Sequence, residues 1–170
     1  MKSSLLIALL FLSLGISAQS PYISLPDPNH PTEKILVGTI SPYILQNDTS
    51  FRWFINNSKG YTPDTSILNK LETSKDQVRF IVFGGTWCED TQFILPRFYS
   101  ILAKAGFPET GTTLLGVDRT KKTLGNIADA FKITNVPTII VMKDGREIGR
   151  VIEYGKNGKW DQELEAILKQ

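Results

Sequence analysis

One cysteine and one histidine occur in the 170 residues. Cys88 therefore has no partner for a disulfide within the chain. Cys88 and His30 together are too few to build a thiolate or imidazole cage, so no metal site and no cofactor is expected. An excess of charge of one sign is also missing. Nineteen basic and 17 acidic side chains leave a formal charge of +2, which offers no electrostatic reason to expect nucleic acid or an anionic membrane as a partner. Internal repeats are absent, and the only biased stretch is a short proline-rich one near the N-terminus. Hydrophobic residues make up 41% and charged residues 21%, the balance of an ordinary globular domain with a core of its own.

What is present begins with the N-terminus. Lys2 precedes the apolar run Leu5 to Leu12, and the small residues Ser17 and Ala18 follow. That is the layout of a secretory signal peptide, residues 1–18, cleaved near Ala18. The run is short for a bilayer span, and the competing reading is a retained N-terminal anchor. No cysteine sits near the cleavage site, which argues against a lipid-anchored form. The expected location is exported, periplasmic or secreted, with no membrane span after cleavage. Disulfides persist in such compartments, which makes an odd thiol worth attention.

Residues 19–32 hold four prolines and read as an extended leader without structure of its own, carrying His30 as an exposed bystander. Residues 33–170 read as one domain. Residues 33–76 suggest a short strand and helix from Lys34, then an aromatic cluster of Phe51, Trp53, Phe54 and Tyr61 that suits core packing. A helix follows, with Ile67, Leu68 and Leu71 on one face. Val78 to Phe83 is mostly apolar and β-branched or aromatic, as expected of a central strand covered on both faces. Ile94, Phe98, Ile101, Leu102 and Ala105 form one helical stripe, interrupted by Pro96, which should kink it. A second strand at "TTLLGVDR", a short helix at "NIADAFKI", a third strand at "TIIVM", a hairpin turn at Lys143–Arg146 and a closing helix from Trp160 complete the chain. This order predicts an α/β fold: a mixed sheet with helices on both faces.

The chemistry gathers at "FGGTWCEDTQF". Gly84 and Gly85 end a strand, and Cys88 follows at the first turn of a long helix. Unpaired amides and the helix dipole favour a thiolate there. Trp87 should shield one side of the sulfur, and Thr91, one turn on, could aim its hydroxyl back at it. Glu89 and Asp90 suit a helix start but oppose the developing negative charge. The competing reading of Cys88 is an inert buried thiol. "NVPT", Asn135 to Thr138, opens the third strand with a proline in a tight turn.

With these pieces in order, the chain resembles the thioredoxin-like superfamily over roughly Gln77 to Gln170, with residues 33–76 as an N-terminal elaboration. "FGGTWCEDT" stands where that family has its Trp-Cys-x-x-Cys, Pro96 falls where the family kinks its active-site helix, and "VPT" matches its cis-proline turn. The form Trp-Cys-x-Asp-Thr followed by "LPRFY" resembles exported bacterial members. The resemblance implies a thioredoxin-like fold with an N-terminal extension. It gives Cys88 the nucleophile's role, Trp87 that of the flanking tryptophan and Pro137 that of the cis-proline facing the thiol. Glu89, Asp90 and Thr91 would support the site, and Val136 would offer backbone groups to an extended substrate. Two departures stand out: the resolving cysteine is Thr91, and the buried acid six residues before the nucleophile is Val82. An adduct at Cys88 would then need an outside thiol for release. The expectation is monothiol exchange or isomerisation on disulfide-bearing proteins or small thiols by a monomer. The alternatives are a redox-inactive binding module for extended peptides or envelope proteins, and a structural role within a larger envelope complex. Gly85 in place of a hydroxyl residue argues against a peroxiredoxin, and the missing ligands argue against a copper-delivery relative.

Overall fold

Val78–Gly84 forms strand β3, and its residue pattern explains its central place. Phe80 and Val82 point to one face of the sheet and Phe83 to the other, all of them nearly or fully buried. Six strands surround and include it in the computed structural model, which describes residues 20–170. They are β1 (Tyr22–Pro26), β2 (Lys34–Ile40), β3, β4 (Thr112–Gly116), β5 (Thr138–Lys143) and β6 (Arg146–Ile152), in the order β1-β2-β4-β3-β5-β6. The β3–β4 pair is parallel and the others are antiparallel. The expected signal peptide lies outside the described residues. Among those residues, no helix is long and apolar enough to cross a membrane.

Among the described residues six α-helices cover the sheet: α1 (Pro42–Asn47), α2 (Arg52–Ser58), α3 (Thr65–Ser74), α4 (Glu89–Lys104), α5 (Ile127–Ala130) and α6 (Trp160–Leu168). All but α5 contribute to the larger core, where Leu45, Phe54, Leu71, Phe98 and Leu164 meet Phe80, Val82 and Ile139. The aromatic cluster of residues 51–61 is part of that packing, with Phe51, Trp53, Phe54 and Tyr99 in successive edge or tilted contacts. The smaller core on the opposite face joins Ala128 of α5 to Phe83, Leu115, Val136 and Ile140. The fold is a thioredoxin-like α/β arrangement: a mixed sheet flanked on both faces, with an N-terminal extension.

Pro96 lies inside α4, as its position in the apolar stripe implied. The segment "NIADAFKI" is helical over four residues only, because Lys132 turns to φ 54 and the Ile133 amide closes back on the Ala128 carbonyl at 2.9 Å. Asp144 and Gly145, at φ 51 and 75, make the hairpin turn between β5 and β6. Positive φ at both central positions suits the strand twist and favours glycine at the second.

Residues 20–32 differ from the expected unstructured leader. Tyr22–Pro26 is strand β1, paired antiparallel with β2 from Tyr22 opposite Gly38 to Pro26 opposite Lys34. Proline is tolerated because β1 is an edge strand, where an outward-facing position needs no amide donor. Asp27, directly after it, is buried and ion-paired with Arg119. His30 is exposed, as its context implied.

Candidate active site

The end of β3 delivers the chain to a sharp turn. The Cys88 amide donates to the Gly85 carbonyl at 3.0 Å, and Cys88 is the N-cap of α4, in extended backbone conformation. Gly85 is required by its neighbour: a Cβ there would stand 2.6 Å from Cε2 of the Trp87 ring. The indole is thereby packed on bare backbone. Its Nε1 donates to the Val117 carbonyl at 3.0 Å, while the Val117 amide donates to the Gly84 carbonyl at 3.1 Å. Gly85→Ala should displace the indole and cost about 1–3 kcal/mol, the usual range for overpacking, since the ring is too rigid to yield by a few tenths of an ångström. Tryptophan fluorescence and a denaturant midpoint would read both effects.

Cys88 is partly exposed. Its Sγ donates to the Val136 carbonyl at 3.2 Å. The Val136–Pro137 peptide is cis, and the buried Thr138 hydroxyl donates to the Asn135 carbonyl at 2.7 Å, holding the same turn. The two motifs singled out in the sequence, separated by 48 positions, therefore meet at the sulfur. Trp87 packs against the same small core as Cys88.

Thr91 does otherwise than expected. It is 1% exposed, and its Oγ1 accepts from the Gly85 amide at 3.3 Å rather than donating to the sulfur. The strand-to-helix turn would otherwise leave that buried amide without an acceptor, so the hydroxyl turns inward. Glu89 is exposed and Asp90 half-buried. Burial, with the nearby Asp90 charge second, pushes the Tyr154 phenol above its usual value, so Asp90 faces the loop after β6 as well as the helix start. Val82, where the resemblance led one to look for an acid, is 0% exposed and paired with Leu114 and Ile139.

Several supporting residues carry no signal of their own in the sequence. The Thr86 hydroxyl donates to the Lys34 carbonyl at 2.9 Å and accepts from the Leu36 amide at 3.2 Å, tying the loop to β2. Gln92 Nε2 donates to the Thr86 carbonyl at 2.9 Å, and Asn57 Nδ2 to the Gln92 carbonyl at 2.9 Å. Residues 33–76 thus buttress the loop through β2 and α2. On the rim, Phe93 is exposed and lies 5.7 Å from Tyr154, centroid to centroid, with the Arg97 guanidinium 3.5 Å above the Phe93 ring.

A strand, a glycine-bearing turn, a tryptophan and cysteine at a helix start, and a cis-proline turn against the sulfur make a specific combination. A thioredoxin H-type protein of Fagopyrum esculentum is 31% identical over 90 residues, which are 52% of this chain and 72% of that one. The chain belongs to the thioredoxin-like superfamily. A thioredoxin H-type protein of Picea mariana is 30% identical over 91 residues, 52% of this chain and 68% of its own. Among solved structures, a Pseudomonas aeruginosa protein of unknown function matches with a TM-score of 0.50 at 15% identity, over 75% of this chain and 90% of that one, a likeness of fold alone. No family profile matches the chain. Thr91 and Val82, which stand where the resemblance led one to look for a second cysteine and a buried acid, are both buried.

Proposed function

We propose that this chain is an exported thioredoxin-like protein that performs thiol–disulfide exchange through Cys88 alone. The observation that carries the reading is the partly exposed Cys88 sulfur at the start of α4, 3.2 Å from the carbonyl that precedes the cis proline. The relatives named as thioredoxins support the reaction class. Export rests on the pattern of residues 1–18.

In the forward step the Cys88 thiolate attacks a disulfide R–S–S–R′. A Cys88–S–S–R bond forms, the R–S–S–R′ bond breaks, and R′S⁻ leaves to be protonated by solvent. The helix start stabilises the attacking anion, and Trp87 limits approach to the open side. As Cys88 loses its proton, the Val136 carbonyl loses its donor and becomes free to accept an amide from an extended substrate, a strand-addition mode of docking. Thr91 offers no second thiol, so a free thiol R″SH from outside must attack the mixed disulfide. That attack yields R–S–S–R″ and regenerates Cys88. The chain then shuttles a single partner at a time between external thiols, with disulfide-bearing proteins or small thiols as substrates.

Purified mature protein incubated with oxidised glutathione should gain one glutathione at Cys88 by mass spectrometry, and excess free thiol should remove it. Cys88→Ser should gain none. Absence of an adduct in the wild type would overturn the reading. Retained binding of unfolded polypeptide by Cys88→Ser, with no adduct in the wild type, would favour a redox-inactive binding module instead.

A further inference from the structure

A buried carboxylate with no part in the exchange step lies just outside the Cys88 loop. Asp27 comes from the segment after β1, and its side chain is 0% exposed. Its Oδ1 accepts from Arg119 Nε and its Oδ2 from Arg119 Nη2, each at 2.8 Å, and Oδ1 accepts also from the Asn29 amide at 2.9 Å. A two-pronged pair of this kind fixes orientation as well as distance. Arg119 follows β4 and carries its guanidinium carbon to 4.9 Å from the centroid of the Trp87 ring, within cation–π range. Carboxylate, guanidinium, indole and thiol therefore run in sequence from the N-terminal segment to the reacting sulfur.

The electrostatics agree with this placement. The Arg119 hydrogen bonds hold the Asp27 carboxyl down at about 2 against its burial, so it is ionised at neutral pH. The Arg119 guanidinium is held above its ordinary value chiefly by Asp27, with a smaller contribution from the Cys88 sulfur. Other charges face the same neighbourhood. Lys121 Nζ lies 6.0 Å from the Trp87 centroid, Glu33 acts on Arg119, and Glu89 and Asp90 stand on the first turn of α4.

We propose that Asp27 is a positioning residue for Cys88, holding Arg119 over Trp87 so that the guanidinium charge stands near the sulfur. It acts through Arg119 and touches neither thiol nor substrate. The inference rests on the exchange reading only in taking Cys88 as the reactive group. It assigns the segment before β2 a share in the site.

The test is alkylation of Cys88 by iodoacetamide at one neutral pH over a range of ionic strength. The reagent is uncharged, so salt dependence reports charges within the protein rather than encounter with the reagent. Alkylation also reads thiol reactivity whether or not disulfides exchange, so the two proposals fail separately. Asp27→Asn removes the charge and one acceptor, and Arg119 should turn outward. The rate should fall about threefold at low salt, in line with the loss of one nearby screened charge, and the salt dependence should flatten. Asp27→Glu should recover most of the rate. Arg119→Lys keeps the positive charge without the fork, serves as the second variant should Asp27→Asn not fold, and should react more slowly because the charge is no longer fixed over Trp87. A merely structural pair would lower the melting temperature of these variants and leave rate and salt dependence as in the wild type, and that result would overturn the proposal.

Discussion

Thr91→Cys should turn a lasting mixed disulfide into a fleeting one. Thr91 lies one helical turn beyond Cys88, so an introduced thiol has a disulfide at Cys88 within reach of a small rotamer change. Its hydroxyl is buried and directed at the Gly85 amide, and the amide would exchange that acceptor for a weaker sulfur one. After reaction with oxidised glutathione, the wild type should keep the glutathione until an outside thiol removes it. The variant should expel it and end two hydrogens lighter than its reduced form. Internal attack is favoured by proximity, so the adduct should be roughly a hundredfold or more shorter-lived than in the wild type at low external thiol. Quenched time points read by mass spectrometry would measure this, and an unchanged lifetime would sink the account of Thr91 as the missing resolver.

Phe98→Ala should be the most damaging truncation for the fold. Phe98 is 0% exposed on the inner side of α4, with Phe80 of β3 edge-on at 5.3 Å and Tyr99 at 5.6 Å. Removing the ring takes away its transfer energy and leaves a cavity that helix and sheet cannot both close, a loss of about 3–5 kcal/mol. The denaturant midpoint should drop with little change in slope. The adduct assay at Cys88 should still succeed well below that midpoint, because β3 and the first turn of α4 hold the thiol from the other end of the helix. A loss under 1 kcal/mol would mean that the core collapses around the site far more readily than its aromatic packing implies (a typical conservative core swap costs about that much).

The legible parts of the sequence were those governed by local pattern. The mostly apolar run Val78 to Phe83 announces a central strand, and the stripe from Ile94 to Ala105 announces α4, because burial leaves a pattern in the chain. "TWC" and "VPT" were legible as a site because each needs a particular local geometry. What could not be read depends on partners distant in the chain. β1 leaves no strong local signal because an edge strand needs only the neighbouring β2, and its one proline, Pro26, stands at its end. Asp27 carries no local signal in its proline-rich stretch, because its partner Arg119 lies 92 positions away. Thr91 was read from its nearness to Cys88 along the helix, whereas an unsatisfied amide in the turn decided where its hydroxyl went.

The contact between the Cys88 sulfur and the Val136 carbonyl also sets a schedule. The two residues are 48 positions apart, so the ribosome must add that many more residues after the cysteine before its acceptor exists. At about 5–20 residues per second this takes roughly 2–10 s, during which the nascent thiol has no native acceptor. A chain with several cysteines could bridge the wrong pair in that interval. With one cysteine, every premature disulfide must be to another molecule, and a small free thiol can undo it before the Val136 turn docks against the sulfur.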